Sequence, residues 1–226
     1  MKKTFIYLLT LLFVMWNCQS KTDDNPKNKT KTKVMVEKFD FELFKKYQNS
    51  DGILELSNGK TIISMAAPDK NETGVMEELL PNSPFLYYYK EFYPNGNLKK
   101  IETKISETVK VDQSVYYKED GTVDKTVDEN RNYGNIKYGK LLAFLDEKGY
   151  IDLKNGKGRL NDDGTNKYDI FYDSDIPAWN ITITQGKKLT EAEFLEMTKT
   201  SPGEPSIWKP IQYIMDANTG KLINEK

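Results

Sequence analysis

The side chains that most often do chemistry near neutral pH are nearly absent from this sequence. None of its 226 residues is histidine, and Cys18 is the lone cysteine. Histidine is the usual proton shuttle in that range, so composition alone excludes Ser-His-Asp and Cys-His nucleophile systems. It equally excludes a zinc site built from Cys and His. No glycine-rich phosphate loop occurs. Carboxylates remain, most visibly Asp162-Asp163 and Asp173-x-Asp175. A glycosidase would need two carboxyls about 5 to 10 Å apart across a sugar cleft. Asn161-Asp-Asp-Gly-Thr-Asn and Asp216-x-Asn218-x-Gly220 lack the full spacing and distal glutamate of an EF-hand loop, so they read as Asx turns. The expectation is a chain with no catalytic residue, no metal ligand set and no cofactor.

Residues suited to binding are easier to find. Tyr87-Tyr88-Tyr89, with Phe92 and Tyr93, is the densest aromatic stretch. In a strand Tyr87, Tyr89 and Tyr93 would share one face, and Tyr88 and Phe92 the other. Tyrosine and tryptophan are favoured at interfaces because they present rigid amphipathic area. Tyr87, Tyr88, Tyr89 and Trp208, the last beside Pro210 in a Ser-Pro-rich loop, are the candidate contacts. Nucleic acid is not an expected partner. Without Lys2 and Lys3, 31 basic residues face 34 acidic ones, a net charge of −3, and only Arg131 and Arg159 are arginine.

The N-terminus is the most legible segment. Lys2-Lys3 precede a run, Thr4 to Trp16, that is almost wholly apolar. It is shorter than the about 20 residues a membrane helix needs, and fits the h-region of a secretory signal. A lone cysteine directly after such a segment resembles the lipobox of bacterial lipoproteins, in the looser form of the Bacteroidetes, with Asn17 where Gly, Ala or Ser is usual. The resemblance implies cleavage after residue 17 and acylation of Cys18. Gln19-Ser20-Lys21-Thr22-Asp23-Asp24 is similar to the acidic signal that sends such lipoproteins to the cell surface. An outer-membrane lipoprotein is thus expected, on the surface in preference to the periplasmic face. Its membrane partner would be the lipid on Cys18. Residues 18–33 are polar and read as the lipidated cysteine with a disordered tether, about 20 Å in root-mean-square reach.

The elements that must position any site follow. Phe39, Phe41, Leu43, Phe44 and Tyr47 predict a helix over Val36–Tyr47. Gly52–Leu56 and Thr61–Met65 flank Ser57-Asn58-Gly59-Lys60, a strong hairpin signal. Phe85–Tyr93 and Leu98–Ile105 flank Pro94-Asn95-Gly96-Asn97, and Ser114–Lys118 and Thr122–Val127 flank Glu119-Asp120-Gly121. The last two hairpins align at a constant offset of 25 residues, in the frame aromatic, three residues, Gly, one residue, aliphatic, one residue, Lys. Such repeats usually mean stacked hairpins. Tyr88 to Lys125 resembles the MORN-related repeats of the YwqK-type antitoxin family, which implies a protein-binding surface.

Beyond Asn130, Tyr138, Leu141, Leu142 and Leu145 carry helical spacing and Gly149 a left-handed cap. Tyr150–Leu153, Lys167–Tyr172 and Trp179–Thr184 read as strands. Thr190 and Glu193 form a capping box for a helix to about Thr198, with Pro202 and Pro205 after it. Ile211–Met215, a turn at Asp216–Gly220 and Lys221–Asn224 close the chain. Trp179 to Ile223 is similar to PepSY-like extracytoplasmic modules, which implies a small α+β unit associated with inhibition or binding.

The expected class is therefore α+β: antiparallel hairpins or a meander over 34–130, then a small helix-plus-antiparallel-sheet unit over 131–226. The two regions either pack as one domain or stand apart. The expected function is a non-catalytic, membrane-anchored envelope lipoprotein that binds a protein partner, in its sharpest form an immunity protein against a toxin. Two other readings stay open: a carboxylate-based surface glycan hydrolase or glycan-binding protein, and a structural subunit of an envelope complex.

Overall fold

The computed structural model describes residues 37–200 and 205–225. The leader at 1–17, Cys18, the tether at 19–33 and Pro202 lie outside the described residues. The first helix, α1, runs Phe41–Gln48, later than the spacing predicts. Asp40 is the cause: its carboxylate accepts the Leu43 amide at 2.9 Å as an N-cap. The residues before it are held extended, with Leu98 N–H donating to Glu37 O at 3.0 Å and Phe39 N–H to Gly96 O at 2.8 Å.

Seven strands follow in sequence order in one antiparallel meander: β1 Leu54–Glu55, β2 Thr61–Ala66, β3 Gly74–Leu80, β4 Ser83–Phe92, β5 Leu98–Lys104, β6 Lys110–Tyr117 and β7 Val123–Asp128. Sequence alternation misses β3 because Glu77-Glu78 interrupts it. Glu78 nevertheless faces inward, only 4% exposed, where Lys90 and Lys60 each reach it at 3.1 Å. Lys90 is itself 4% exposed and also meets Glu37 at 2.8 Å. Burial alone would raise the Glu78 carboxyl, but the two lysines outweigh it and hold it below its ordinary value.

The two hairpins in the repeated frame close identically. Tyr93 N–H donates to Asn97 O at 2.8 Å and Asn97 N–H to Asn95 Oδ1 at 2.9 Å; Lys118, Thr122 and Asp120 repeat both bonds at 2.9 Å. Gly96 and Gly121 take φ of 79° and 83°, the left-handed region that favours glycine. Adjacent turns are joined as well: Asn97 Nδ2 donates to Glu119 O at 2.7 Å, and the Tyr93 hydroxyl to Tyr117 O at 2.8 Å.

A short 3-10 helix, Glu129–Asn132, leads to α2, Tyr138–Glu147. The second sheet comprises β8 Tyr168–Asp173, β9 Ala178–Lys188, β10 Trp208–Asp216 and β11 Leu222–Glu225, antiparallel in the order β11-β10-β9-β8. Helix α3, Glu191–Thr200, sits in the β9–β10 connection and begins with the expected capping box, Thr190 N–H donating to Glu193 Oε2 at 2.8 Å. Tyr150–Leu153 is not a strand. Asp152 bridges Lys157 in a tight loop, and Ile151 is buried against the core instead of a neighbouring strand.

Two apolar clusters result. One lies under α1 and joins Phe39, Ile62, Met65, Met76, Phe92 and Leu98. The larger one packs Leu141, Leu142 and Leu145 of α2 on Ile170, Trp179, Ile181 and Ile183 of the second sheet. Phe85, Ile105, Val109 and Val111 of the meander belong to this same cluster. The Ser106 hydroxyl adds a polar tie by donating to Ile170 O. The architecture is α+β, an antiparallel meander followed by a smaller helix-and-sheet unit.

Candidate functional site: a cleft between the two sheets

Between one end of the meander and the second sheet lies a cleft of about 1440 Å³. Alternation along the strands decides what faces it. On β3, Glu77 and Leu79 line the cleft, whereas Met76 belongs to the cluster under α1. Across the ladder Leu79 pairs with Tyr87, and Tyr87 with Lys104. The β5–β6 turn contributes Ile105–Thr108, and the second sheet Tyr168, Asp169, Thr184 and Gln185. Ile53 and Ile207, 46% and 48% exposed, add apolar surface, with Trp208 beside them.

The functional candidates from the sequence are scattered around this feature. Tyr87 is buried and lines the cleft. Tyr89 follows it on the same strand face, half-buried, with Lys104 Nζ 4.2 Å and Lys100 Nζ 5.0 Å from its ring centroid. Tyr88 faces the other way, toward buried Lys90, whose Nζ is 6.0 Å from its ring. Trp208 is not in a loop: it begins β10, paired with Lys188, and is half-buried at the cleft.

Of the four aspartates singled out for hydrolysis, only Asp163 lines the cleft. Its Oδ1 accepts the Thr165 amide at 3.0 Å and hydroxyl at 2.6 Å, and its Oδ2 accepts Gln185 Nε2 at 2.7 Å. Asp162 is exposed, and Asp173 caps its own turn by accepting the Asp175 amide at 2.9 Å. Two serines stand three residues before a lysine, but neither forms a dyad. Ser57 is exposed in a hairpin turn with Lys60 drawn to Glu78, and Ser206 Oγ accepts the Trp208 amide at 3.0 Å. Among the described residues no cluster of three or more carboxylates is placed to hold a metal ion.

What sequence reasoning missed is the polar group inside the cleft. Arg159 lies over the Tyr87 ring, its guanidinium carbon 5.2 Å from the centroid, with Nη1 3.4 Å from Pro84 O. Gly158 sets it there: at φ 95° it takes a left-handed turn, and a Cβ would stand 2.7 Å from Tyr150 O. Among the described residues Arg159 has no ion-pair partner. Glu77 acts on it electrostatically without reaching it. Nearby, Tyr168 is 6% exposed and its hydroxyl has no hydrogen-bond partner among the described residues. A buried, unpaired polar group costs roughly 1–3 kcal/mol.

The protonation of these groups follows from burial. Burial raises the Glu77 carboxyl, against the pull of Lys104 and Arg159. It raises Tyr87, with Glu77 adding to the effect, and pushes Tyr168 up to about 12 despite Arg159. Burial also lowers the Arg159 guanidinium, while Tyr168, Tyr87 and Glu77 draw it back up. Both phenols are therefore hydrogen-bond donors at neutral pH. The signal for Arg159 was present in the composition. In a chain that uses lysine almost everywhere, one of two arginines marks a place where a planar, stacking cation serves better than an ammonium.

The cleft thus offers donors in its interior, six carboxylates along its lining (Asp51, Glu55, Glu77, Glu107, Asp163 and Asp169) and apolar surface from Ile53 and Ile207. These features suit recognition. No helix among the described residues is long and apolar enough to cross a membrane. No protein-family model, curated protein or solved structure matches the chain.

Proposed function

We propose that the protein is a non-catalytic binding module held at the bacterial envelope, on the outer membrane, through lipid on Cys18, and that it holds a protein partner in the cleft between its sheets. The cleft itself carries this reading. At about 1440 Å³ it exceeds the roughly 300–1,000 Å³ typical of small-molecule pockets. Its lining joins tryptophan, tyrosine, arginine and apolar residues, the types enriched where interfaces carry their binding energy. The lipid would hold the module at the membrane. Neutralisation of a toxin delivered between bacteria is the sharpest form of this role.

Affinity capture of the tagged, full chain from its native envelope tests the proposal when wild type is compared with Trp208→Ala and Ile53→Asp. A stoichiometric protein partner retained by wild type and lost from both variants is expected. A partner retained equally by all three, or recovery of glycan without protein, would overturn it. Asp163 and Trp208 in the cleft are the observation that favours a glycan ligand as the second reading.

A further inference from the structure

We infer that the cleft recognises the C-terminal segment of its protein partner, with the terminal carboxylate on Arg159 and the Tyr168 hydroxyl and a basic side chain just before it facing Glu77, Glu107 and Asp169. This inference rests on the protein-binding reading and supplies the chemistry of the partner.

Three observations meet at one place. Arg159 is a half-buried cation without an ion-pair partner among the described residues, its guanidinium carbon over the Tyr87 ring at 5.2 Å and its Nη1 3.4 Å from Pro84 O. The planar fork of a guanidinium matches a carboxylate with two parallel hydrogen bonds. Tyr168, more than nine-tenths buried and lining the same cleft, keeps a hydroxyl with no acceptor among the described residues. Arg159 keeps donors beyond the one that reaches Pro84 O, and an anionic acceptor answers both these and the Tyr168 hydroxyl.

The surrounding charge narrows the ligand further. Among the described residues Arg159 is the one cationic side chain lining the cleft, against six carboxylates. A purely anionic ligand would be repelled by Glu77, Glu107 and Asp169. A ligand with a carboxylate at its tip and a cation behind it is attracted at both points. Arg159 is held at its base by a close-packed loop: Gly156 lies so near Pro84 that a Cβ there would meet its ring at 2.7 Å, and Arg159 itself reaches Pro84 O. Capture of a terminal carboxylate is one of the recurring modes of peptide recognition.

The test uses the full chain in detergent micelles and a panel of short fluorescent peptides. Each peptide is made with a free C-terminus and as its amide, with lysine or with glutamate just before the end. Fluorescence polarisation should show binding of the free-carboxylate, lysine-bearing peptides. Amidation or Arg159→Gln should weaken it at least about tenfold, the scale of a lost charge-assisted pair. Tyr168→Phe should weaken it roughly threefold or more while leaving the melting temperature equal or higher, because it deletes an unpaired buried hydroxyl. That combination separates a ligand contact from a structural role.

Equal binding of acid and amide would overturn the inference, as would failure of every peptide or a Tyr168→Phe variant that binds as wild type. If envelope capture still depends on Trp208 and Ile53 in that case, the protein-binding reading stands and only the terminal-carboxylate recognition falls.

Discussion

At the residue scale, the cleft groups are out of balance in ways that stability can report. Glu77 is the clearest case. Its carboxyl is held above its ordinary value chiefly by burial, so the folded chain binds that proton more tightly than the unfolded chain does. Its stabilising contribution is complete below the ordinary glutamate range and is lost as pH rises through the raised value. Glu77→Gln should therefore raise the melting temperature relative to wild type at pH 7, with the difference vanishing in acid. A lower melting temperature at pH 7 would mean that attraction to Lys104 and Arg159 outweighs the burial. Little of this site was legible in the sequence. Tyr87 and Trp208 stood out by type, and both line the cleft. Glu77, Arg159 and Tyr168 did not, because their roles arise from burial and from strands far apart in the chain. Tyr88 lies next to Tyr87 in sequence but on the opposite face of β4, where it meets Lys90.

At the element scale, the repeated frame reads through most fully, since a five-residue turn with Asx third and glycine fourth is set by local chemistry. What the frame does not reveal is the joint between consecutive turns. Asn97 Nδ2 and the Tyr93 hydroxyl supply it, by donating to Glu119 O and Tyr117 O. Asn97→Ala and Tyr93→Phe should each lower unfolding free energy in urea by roughly 0.5–1.5 kcal/mol, and no loss in either would show the joint to be incidental. One element is missed and one misassigned, for opposite reasons. β3 breaks apolar alternation with a buried Glu78 that lysines from β4 and from the β1–β2 turn compensate. The Tyr150–Leu153 segment has an apolar pattern but doubles back so that Asp152 bridges Lys157, a residue of the same loop.

At the scale of the molecule, the meander and the second sheet share a core, because Phe85, Ile105, Val109 and Val111 pack with the α2 leucines. Calorimetry should accordingly show one unfolding transition for the folded region. Leu145→Ala, at a fully buried position, should shift the whole transition at a cost of about 2–5 kcal/mol. Two separate transitions, with only one moved, would contradict a shared core. The sharing also creates the cleft, whose walls come from both sheets. Its role as the partner's seat is the central claim, and site-specific photocrosslinking in the native envelope tests it most directly. A photoreactive residue at Ile207, in the cleft, should trap one partner protein, and the same residue at Val123, 56% exposed on the far strand of the meander, should not. Trapping from Val123 with none from Ile207 would contradict the account.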